Sequence, residues 1–240
     1  MNVEPISVLA PDKARKNTVQ ILEEYWSAHP AWFGRSYGEY LHLGANQEML
    51  RILLEGLQIS HTTRVLDLGC ALGGNARWIA SLFGSSIDGV DPFAPAIQTA
   101  RKLAKAQGVD ALCHFSVASL QALESAPDRY DLVLTADDDV EWSEVARVLR
   151  RAGHVVGSHV ATGGLSALEA ALKTAGLSID KLVDVTAYAR AFYRAKEEEA
   201  KLLVSAGLLE DHDLLALSMH TVDLYEAGAA SHALFRAKKT

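Results

Sequence analysis

A short apolar segment that runs directly into a glycine-rich turn is the feature that most restricts how this chain can fold. The segment is Arg64-Val-Leu-Asp-Leu, and the turn after it reads Gly69-Cys-Ala-Leu-Gly-Gly. Glycine adopts backbone dihedrals that other residues avoid, and it lets the main chain approach a ligand closely. A helical pattern begins at Asn75, so we predict a strand, a tight turn and a helix whose first N–H groups can hold a polar or anionic group.

Strand-like and helix-like segments alternate after this turn. The predicted strands continue with residues 86–90, 111–117, 130–135, 153–159 and 178–184, and the predicted helices between them cover residues 94–107, 142–150 and 165–175. This alternation indicates βαβ units in a parallel sheet. A mostly helical stretch, residues 187–227, then precedes a last strand at residues 231–237. Two further helices are predicted before the sheet, at about residues 13–29 and 46–57.

The glycine turn carries a family resemblance. Val65–Gly73 is similar to the first motif of class I S-adenosylmethionine-dependent methyltransferases, h-h-D-h-G-x-G-x-G, with Ala71 in place of the second glycine. The added methyl is tolerated there if the local φ is negative. Asp91 lies 22 residues after Gly69, about the spacing of an acid that binds ribose hydroxyls. The nicotinamide fingerprint G-x-G-x-x-G does not match this spacing.

The resemblance extends to Tyr130-Asp-Leu-Val and to the segment from Val145, and it implies a fold, a cofactor and a set of contacts. The fold is α/β: a Rossmann-like, doubly wound, seven-stranded, mostly parallel sheet with an antiparallel last strand, plus N-terminal helices and a helical insertion before that strand. The cofactor is S-adenosyl-L-methionine, with S-adenosyl-L-homocysteine as product. Its implied contacts are Asp67, Gly69, Cys70, Ala71, Gly73, Asp91, Pro92, Ser119, Leu120, Thr135 and Tyr37. Many members carry an acid where Ala118 stands, so Ser119 and Leu120 are expected to serve the adenine instead.

The chain divides accordingly into an N-terminal helical cap (1–58), a cofactor-binding core (59–186), a helical lid (187–230) and the last strand of the core (231–240). Ligands of open α/β sheets bind beyond the carboxyl ends of the strands. Two segments can cover that edge: the aromatic, glycine-rich stretch Trp32–Gly44 and the helical insertion. The stretch from Tyr37 to Gly44 loosely resembles glycine-betaine-pathway and ubiquinone-type enzymes, although its aromatics could equally serve packing.

A general base is needed only if the methyl acceptor arrives protonated. Candidate catalytic residues are His159, which ends the fifth predicted strand, His220 in the insertion, and Tyr188. Candidate substrate contacts are Tyr40, His42, Asp137, Tyr193 and Arg194. Tyrosine faces favour a cationic substrate, whereas arginines, including Arg190, favour a carboxylate, and the sequence does not choose between them.

Composition limits the partners. The formal net charge of -7 argues against a nucleic-acid or anionic-membrane binder. Two cysteines are too few for a disulfide framework. No apolar run of membrane-spanning length and no signal peptide are recognised, so a cytoplasmic protein is expected. Asp137, Asp138 and Asp139 follow the fourth strand, but no partner carboxylate follows the fifth, so no metal is expected.

The sequence therefore favours a methyltransferase acting on a small-molecule metabolite, compatible with a homodimer. Two alternatives stay open. One is a non-catalytic or regulatory cofactor binder, suggested by Ala71 and Ala118. The other is a non-methylating enzyme on the same fold, such as a cyclase.

Overall fold

A computed structural model describes residues 20–22, 24, 27–28, 47–136, 140–205 and 221–240. Its centre is a seven-stranded sheet in the order β3-β2-β1-β4-β5-β7-β6. The strands are β1 (Arg64–Leu68), β2 (Ser86–Asp91), β3 (Cys113–Val117), β4 (Tyr130–Ala136), β5 (Leu149–Thr162), β6 (Leu177–Asp184) and β7 (Ala230–Lys239). Strands β1 to β5 pair in parallel, and β7 is antiparallel to both β5 and β6. The predicted α/β sheet with its antiparallel last strand is confirmed.

The helices are α1 (Gln47–Leu54), α2 (Gly74–Phe83), α3 (Ala94–Gln107), α4 (Trp142–Val148), α5 (Leu165–Thr174) and α6 (Thr186–Ser205). Residues 221–226 are also helical. Of the predicted first helix, only residues 20–22, 24 and 27–28 lie in the described part, and they are helical. No helix in the described ranges is both long enough and apolar enough to span a membrane.

The sheet is covered on both faces, as a parallel sheet requires. On one face, which we call the α1 face, Leu50 and Leu53 of α1 pack with side chains of α2 and α3 against Val65, Leu134 and Val156 of the strands. On the other, the α4 face, α4 and α5 pack against Leu66, Val133 and Phe235. Because side chains alternate along a strand, each residue of the carboxyl edge can be assigned to one of these faces.

Strand β5 is longer than the predicted residues 153–159. It covers 14 residues, and its pairing with β7 continues from His154 to Thr162. Helix α4 correspondingly ends at Val148 rather than Arg150. The prediction that His159 ends this strand is therefore wrong, because the antiparallel partner extends the ladder three residues further.

Two positively charged side chains, one on β7 and one on β6, hold the C-terminal end of α1. Arg236 on β7 donates to the carbonyl oxygens of Leu53 (3.1 Å) and Glu55 (2.8 Å). Lys181 on β6 donates to the carbonyl of Ile52 at 2.7 Å. Positive side chains at a helix C-terminus satisfy its last carbonyls and complement its dipole. Helix α1, which follows the predicted covering stretch Trp32–Gly44 in the sequence, is thus held against the sheet.

Candidate active site

The turn between β1 and α2 is closed by a hydrogen bond within its own backbone. The N–H of Gly73 donates to the carbonyl of Cys70 at 2.7 Å, and Gly73 has a φ of 74°, the left-handed region that favours glycine. A Cβ at position 73 would lie 2.5 Å from Cζ of Phe115 on β3. Position 73 therefore requires glycine for both conformation and space.

Ala71, which replaces a glycine of the motif, has a φ of 45°. The condition under which the added methyl would be tolerated, a negative φ, is not met, because the turn holds this alanine in the left-handed conformation. A non-glycine residue there costs roughly 1–2 kcal/mol. The strain persists because the surrounding contacts fix the turn.

Asp91, at the end of β2, supplies one of those contacts. Its Oδ2 accepts a hydrogen bond from the N–H of Ala71 at 2.9 Å, and its Oδ1 accepts one from the N–H of Phe93 at 2.8 Å. The side chain is buried. Since each carboxylate oxygen has two acceptor positions, Asp91 retains capacity for ligand hydroxyls. Its spacing from Gly69 identified the residue, but its role in holding the turn was not predicted.

Arg77 supports the turn from inside the domain. Its guanidinium donates to the carbonyl of Leu72, and its Nε donates to Oε1 of Gln107 at 2.9 Å. Arg77 is 1% exposed, and burial lowers its pKa to about 9, so it remains charged at neutral pH. Sequence reasoning missed this residue because one arginine in a helical pattern is usually a surface residue.

Residues 65–164 match the family model described as a methyltransferase domain. This range begins with β1 and includes the glycine turn and Asp91. Over this range, the chain is therefore similar to methyltransferase domains.

Relatives agree with this assignment. Over 127 residues the chain is 28% identical to methyltransferase GfsG of Streptomyces halstedii, covering 50% of this chain and 46% of that protein. The chain spans less than half the length of this and other curated relatives that it matches (46%, 40% and 34% of three of them).

Solved structures share the fold over nearly the whole chain. A protein assigned as a sarcosine dimethylglycine methyltransferase, from Galdieria sulphuraria, superposes with a TM-score of 0.76 at 16% identity, covering 93% of this chain and 98% of that one. The [4+2]-cyclase SpnF superposes with a TM-score of 0.69 at 18% identity, covering 96% and 97%.

The other predicted cofactor contacts of the methyltransferase domain lie at the carboxyl edge in different environments. Leu120 is buried among side chains of the α4 face, whereas Ser119 is exposed and hydrogen-bonds to Gln121. Thr135 on β4 is 4% exposed, and its hydroxyl has no hydrogen-bond partner in the part of the chain that the structure describes. Cys70 and Asp67 are buried, and Pro92 is exposed.

The two described candidate bases are not brought together. His159 is half-buried on the α4 face, where its ring meets the edge of Trp142 at a centroid distance of 5.6 Å. Tyr188, on α6, is 46% exposed. The side chain of Asp67 lies on the α1 face, whereas that of His159 lies on the α4 face. The two side chains are therefore on opposite sides of the sheet.

A histidine that sequence reasoning missed lies at the same edge. His232 of β7 is fully buried, and its Nδ1 lies 2.7 Å from the hydroxyl oxygen of Tyr225. The predicted substrate residue Tyr193 of α6 packs near both, with ring centroids 6.2 Å from His232 and 6.3 Å from Tyr225. This cluster joins α6 and residues 221–226 to the last strand on the α1 face. Only the fold could reveal the whole cluster, because Tyr193 lies far in sequence from Tyr225 and His232.

Arg194, the other predicted substrate residue on α6, forms an ion pair with Glu226, and both side chains are exposed. Tyr37, Tyr40, His42, Asp137 and His220 lie outside the described residues. Within the described ranges, no group of three or more His, Cys, Asp or Glu side chains is arranged to hold a metal ion.

Proposed function

We propose that this chain transfers the methyl group of S-adenosylmethionine to a small-molecule acceptor. The observation that carries the proposal is the glycine turn fixed to Asp91 at the carboxyl edge of the sheet. Strained and rigid backbone of this kind is typical of ligand sites. The methyltransferase domain match covers this same region.

The residues present fit the cofactor. Asp91 offers acceptor capacity for ribose hydroxyls, and the buried Thr135 hydroxyl has no partner in the described structure, which a ligand would supply. Leu120 offers an apolar surface for the adenine, with Ser119 beside it. When bound, the cofactor supplies a methyl group on a sulfonium centre.

The chain's own residues would position the acceptor and exclude water from it. We assign this task to the N-terminal cap and to the helical lid, residues 187–230. Support comes from Tyr193, Tyr225 and His232, which attach the lid to β7 beside the carboxyl edge. A net charge of -7 disfavours a nucleic-acid acceptor.

Proton removal is required only for an acceptor that binds protonated. His159 follows Ser158, the partner of Ala136 at the end of β4, so its backbone lies near the carboxyl edge of the sheet. We retain it as the candidate proton acceptor, with Tyr188 and His220 as the other candidates.

Calorimetry with S-adenosylhomocysteine tests the cofactor assignment. We expect saturable binding by the wild type and at least about tenfold weaker binding by Asp91→Asn, since hydrogen bonds to charged groups contribute about 1.5–3 kcal/mol. Asp88→Asn is the matched control on the same strand: it disturbs contacts with Arg129 and Tyr130 instead and should keep the affinity. Absence of binding to the wild type would refute the proposal.

Methyl transfer itself is tested by release of S-adenosylhomocysteine from S-adenosylmethionine with pools of metabolite acceptors. Labelled methyl recovered in a small molecule supports the proposal. Cofactor binding with no transfer to any acceptor would argue instead for one of the two alternatives, a regulatory binder or a non-methylating enzyme.

A further inference from the structure

We propose that Glu144 and Arg147, on α4, are positioning residues that hold the loop between β3 and β4, residues 118–129, in the conformation that receives the adenine. The inference rests on the proposed function, which assigns Ser119 and Leu120 of this loop to the base. Neither Glu144 nor Arg147 is assigned a contact with the ligand. They act on a neighbouring helix and fix the loop before the cofactor binds.

The loop has no regular structure to fix it. Residues 118–129 contain no helix or strand, and most of them are exposed. Leu120 and Leu123 are buried among side chains of the α4 face. The main-chain N–H and C=O groups of an irregular segment have no ladder to bond to, so they need other partners. The conformation of the loop therefore depends on the side chains that supply those partners.

Glu144 and Arg147 together satisfy both main-chain groups of Leu123. The Leu123 N–H donates to Oε2 of Glu144 at 3.1 Å, and the Leu123 carbonyl accepts from Nη2 of Arg147 at 2.8 Å. Arg147 also donates from Nη1 to the carbonyl of Ser125 at 2.8 Å. The carbonyl of Arg147 accepts from the N–H of Asp128 at 3.0 Å. One arginine is thus bonded to three residues of the loop.

The two side chains also fix each other. Nε of Arg147 donates to Oε1 of Glu144 and Nη2 donates to Oε2, each at 2.8 Å. A bidentate pair of this kind is stronger and more precisely oriented than a single hydrogen bond. The hydrogen bond from Arg147 holds the pKa of Glu144 below its ordinary value, so the pair is ionised at neutral pH. The guanidinium is therefore already oriented towards the loop.

The start of the loop is attached to the ribose side of the site. The N–H of Ala118 donates to the carbonyl of Asp91, the acid assigned to the ribose, at 3.2 Å. Ser119 and Leu120 consequently lie between this bond and the bonds that α4 makes to Leu123. A segment held on both sides presents its contacts without losing further conformational entropy when the ligand binds.

Folding stability alone does not account for the pair. The side chains of Arg147 and Glu144 are 34% and 24% exposed, and ion pairs open to solvent contribute little to stability. Arg147 nevertheless directs its remaining donors to two carbonyls of the loop that carries the proposed base contacts. We therefore assign the pair to preorganisation of the ligand site.

The test measures affinity for S-adenosylhomocysteine by calorimetry. We expect Arg147→Met to bind about fivefold to tenfold more weakly than the wild type, because the ligand must then order the loop. Arg147→Lys keeps the charge but not the planar fork, so its loss should be smaller. Arg129→Met is the matched control, since Arg129 ends the same loop but bonds to the side chain of Asp88, and its affinity should stay within about twofold.

A second ligand and a second measurement localise the effect. 5′-Methylthioadenosine carries the same adenosine without the amino-acid end, so Arg147→Met should lose the same factor for it as for S-adenosylhomocysteine. Hydrogen exchange in the ligand-free proteins should be faster over residues 118–129 in Arg147→Met than in the wild type. Saturation with S-adenosylhomocysteine should slow this exchange again.

Wild-type affinity in Arg147→Met would overturn the inference, because faster exchange alone would then report a purely structural pair. A loss confined to S-adenosylhomocysteine would also overturn it, as would an equal loss in Arg129→Met. If Arg147→Met does not fold, Arg147→Lys decides between the same outcomes with both ligands. Failure of the wild type to bind either ligand would overturn the proposed function itself, which distinguishes that failure from failure of this inference.

Discussion

Replacing Ala71 by glycine should stabilise this protein, against the usual effect of adding a glycine. The left-handed φ of 45° costs an L-residue roughly 1–2 kcal/mol, which glycine does not incur. Glycine in turn loses more conformational entropy on folding, about 0.4–1 kcal/mol. The difference is a gain of about 0.5–1 kcal/mol, which for a chain of this length raises the unfolding midpoint by about 1–4 °C.

The matched control for Ala71→Gly is Ala152→Gly. Ala152 also has a positive φ, 61°, but it is exposed on β5, remote from the glycine turn. Both variants should gain stability to a similar extent in urea denaturation and in thermal scans. Ala71→Val gives the opposite test, because a β-branched side chain is a stronger outlier at positive φ and should lower the midpoint.

Binding provides the second readout for Ala71→Gly. The N–H of residue 71 and its bond to Asp91 survive the substitution, so affinity for S-adenosylhomocysteine should be retained. A lower midpoint for Ala71→Gly beside a higher one for Ala152→Gly would refute the reasoning. It would mean that packing of the Ala71 methyl group outweighs the backbone strain.

Three further expectations concern the elements around the site. Burial lowers the pKa of His154, so its contribution to stability is lost as the pH falls below about 6.5, and His154→Gln should show a smaller drop in unfolding midpoint between pH 7 and 5. Arg236→Met removes the donors at the end of α1 and should lower the free energy of unfolding by about 1–3 kcal/mol in urea titrations, whereas Lys238→Met, exposed on the same strand, should change it by less than about 0.5 kcal/mol. Tyr225→Phe breaks the buried hydrogen bond to His232 and should lower the free energy of unfolding by about 1–3 kcal/mol in the same titrations. Tyr188→Phe, on the exposed face of α6, should not lower this free energy.

The parts of the fold that local patterns define were predictable from the sequence. Strand β1, the glycine turn and α2 follow one another with clear changes of hydrophobic period, and all three were found close to their predicted bounds. The length of strand β5 was underestimated because its last residues form a strand only by pairing with β7, which lies far away in sequence. Local periodicity carries no information about such a partner.

The candidate site likewise contains residues that local sequence patterns predict and residues that they do not predict. Asp91 was found by its spacing, a property of one βαβ unit. Arg77 occupies an ordinary position of a helical pattern, but it is buried and donates to Gln107 of α3, which local periodicity does not reveal. The positive φ of Ala71 was not predictable, because alanine alone gives no signal for a left-handed conformation, which the turn imposes.

The glycine turn is held from three directions, and this explains how it keeps an unfavourable alanine. Asp91 bonds its N–H side from β2, Arg77 bonds the Leu72 carbonyl from α2, and the ring of Phe115 on β3 lies directly against Gly73. Backbone strain of a few kcal/mol survives where such contacts over-determine the conformation. A preorganised turn does not have to be ordered by the ligand that it binds. We therefore expect the loss of any one of these three contacts to act mainly by lowering ligand affinity.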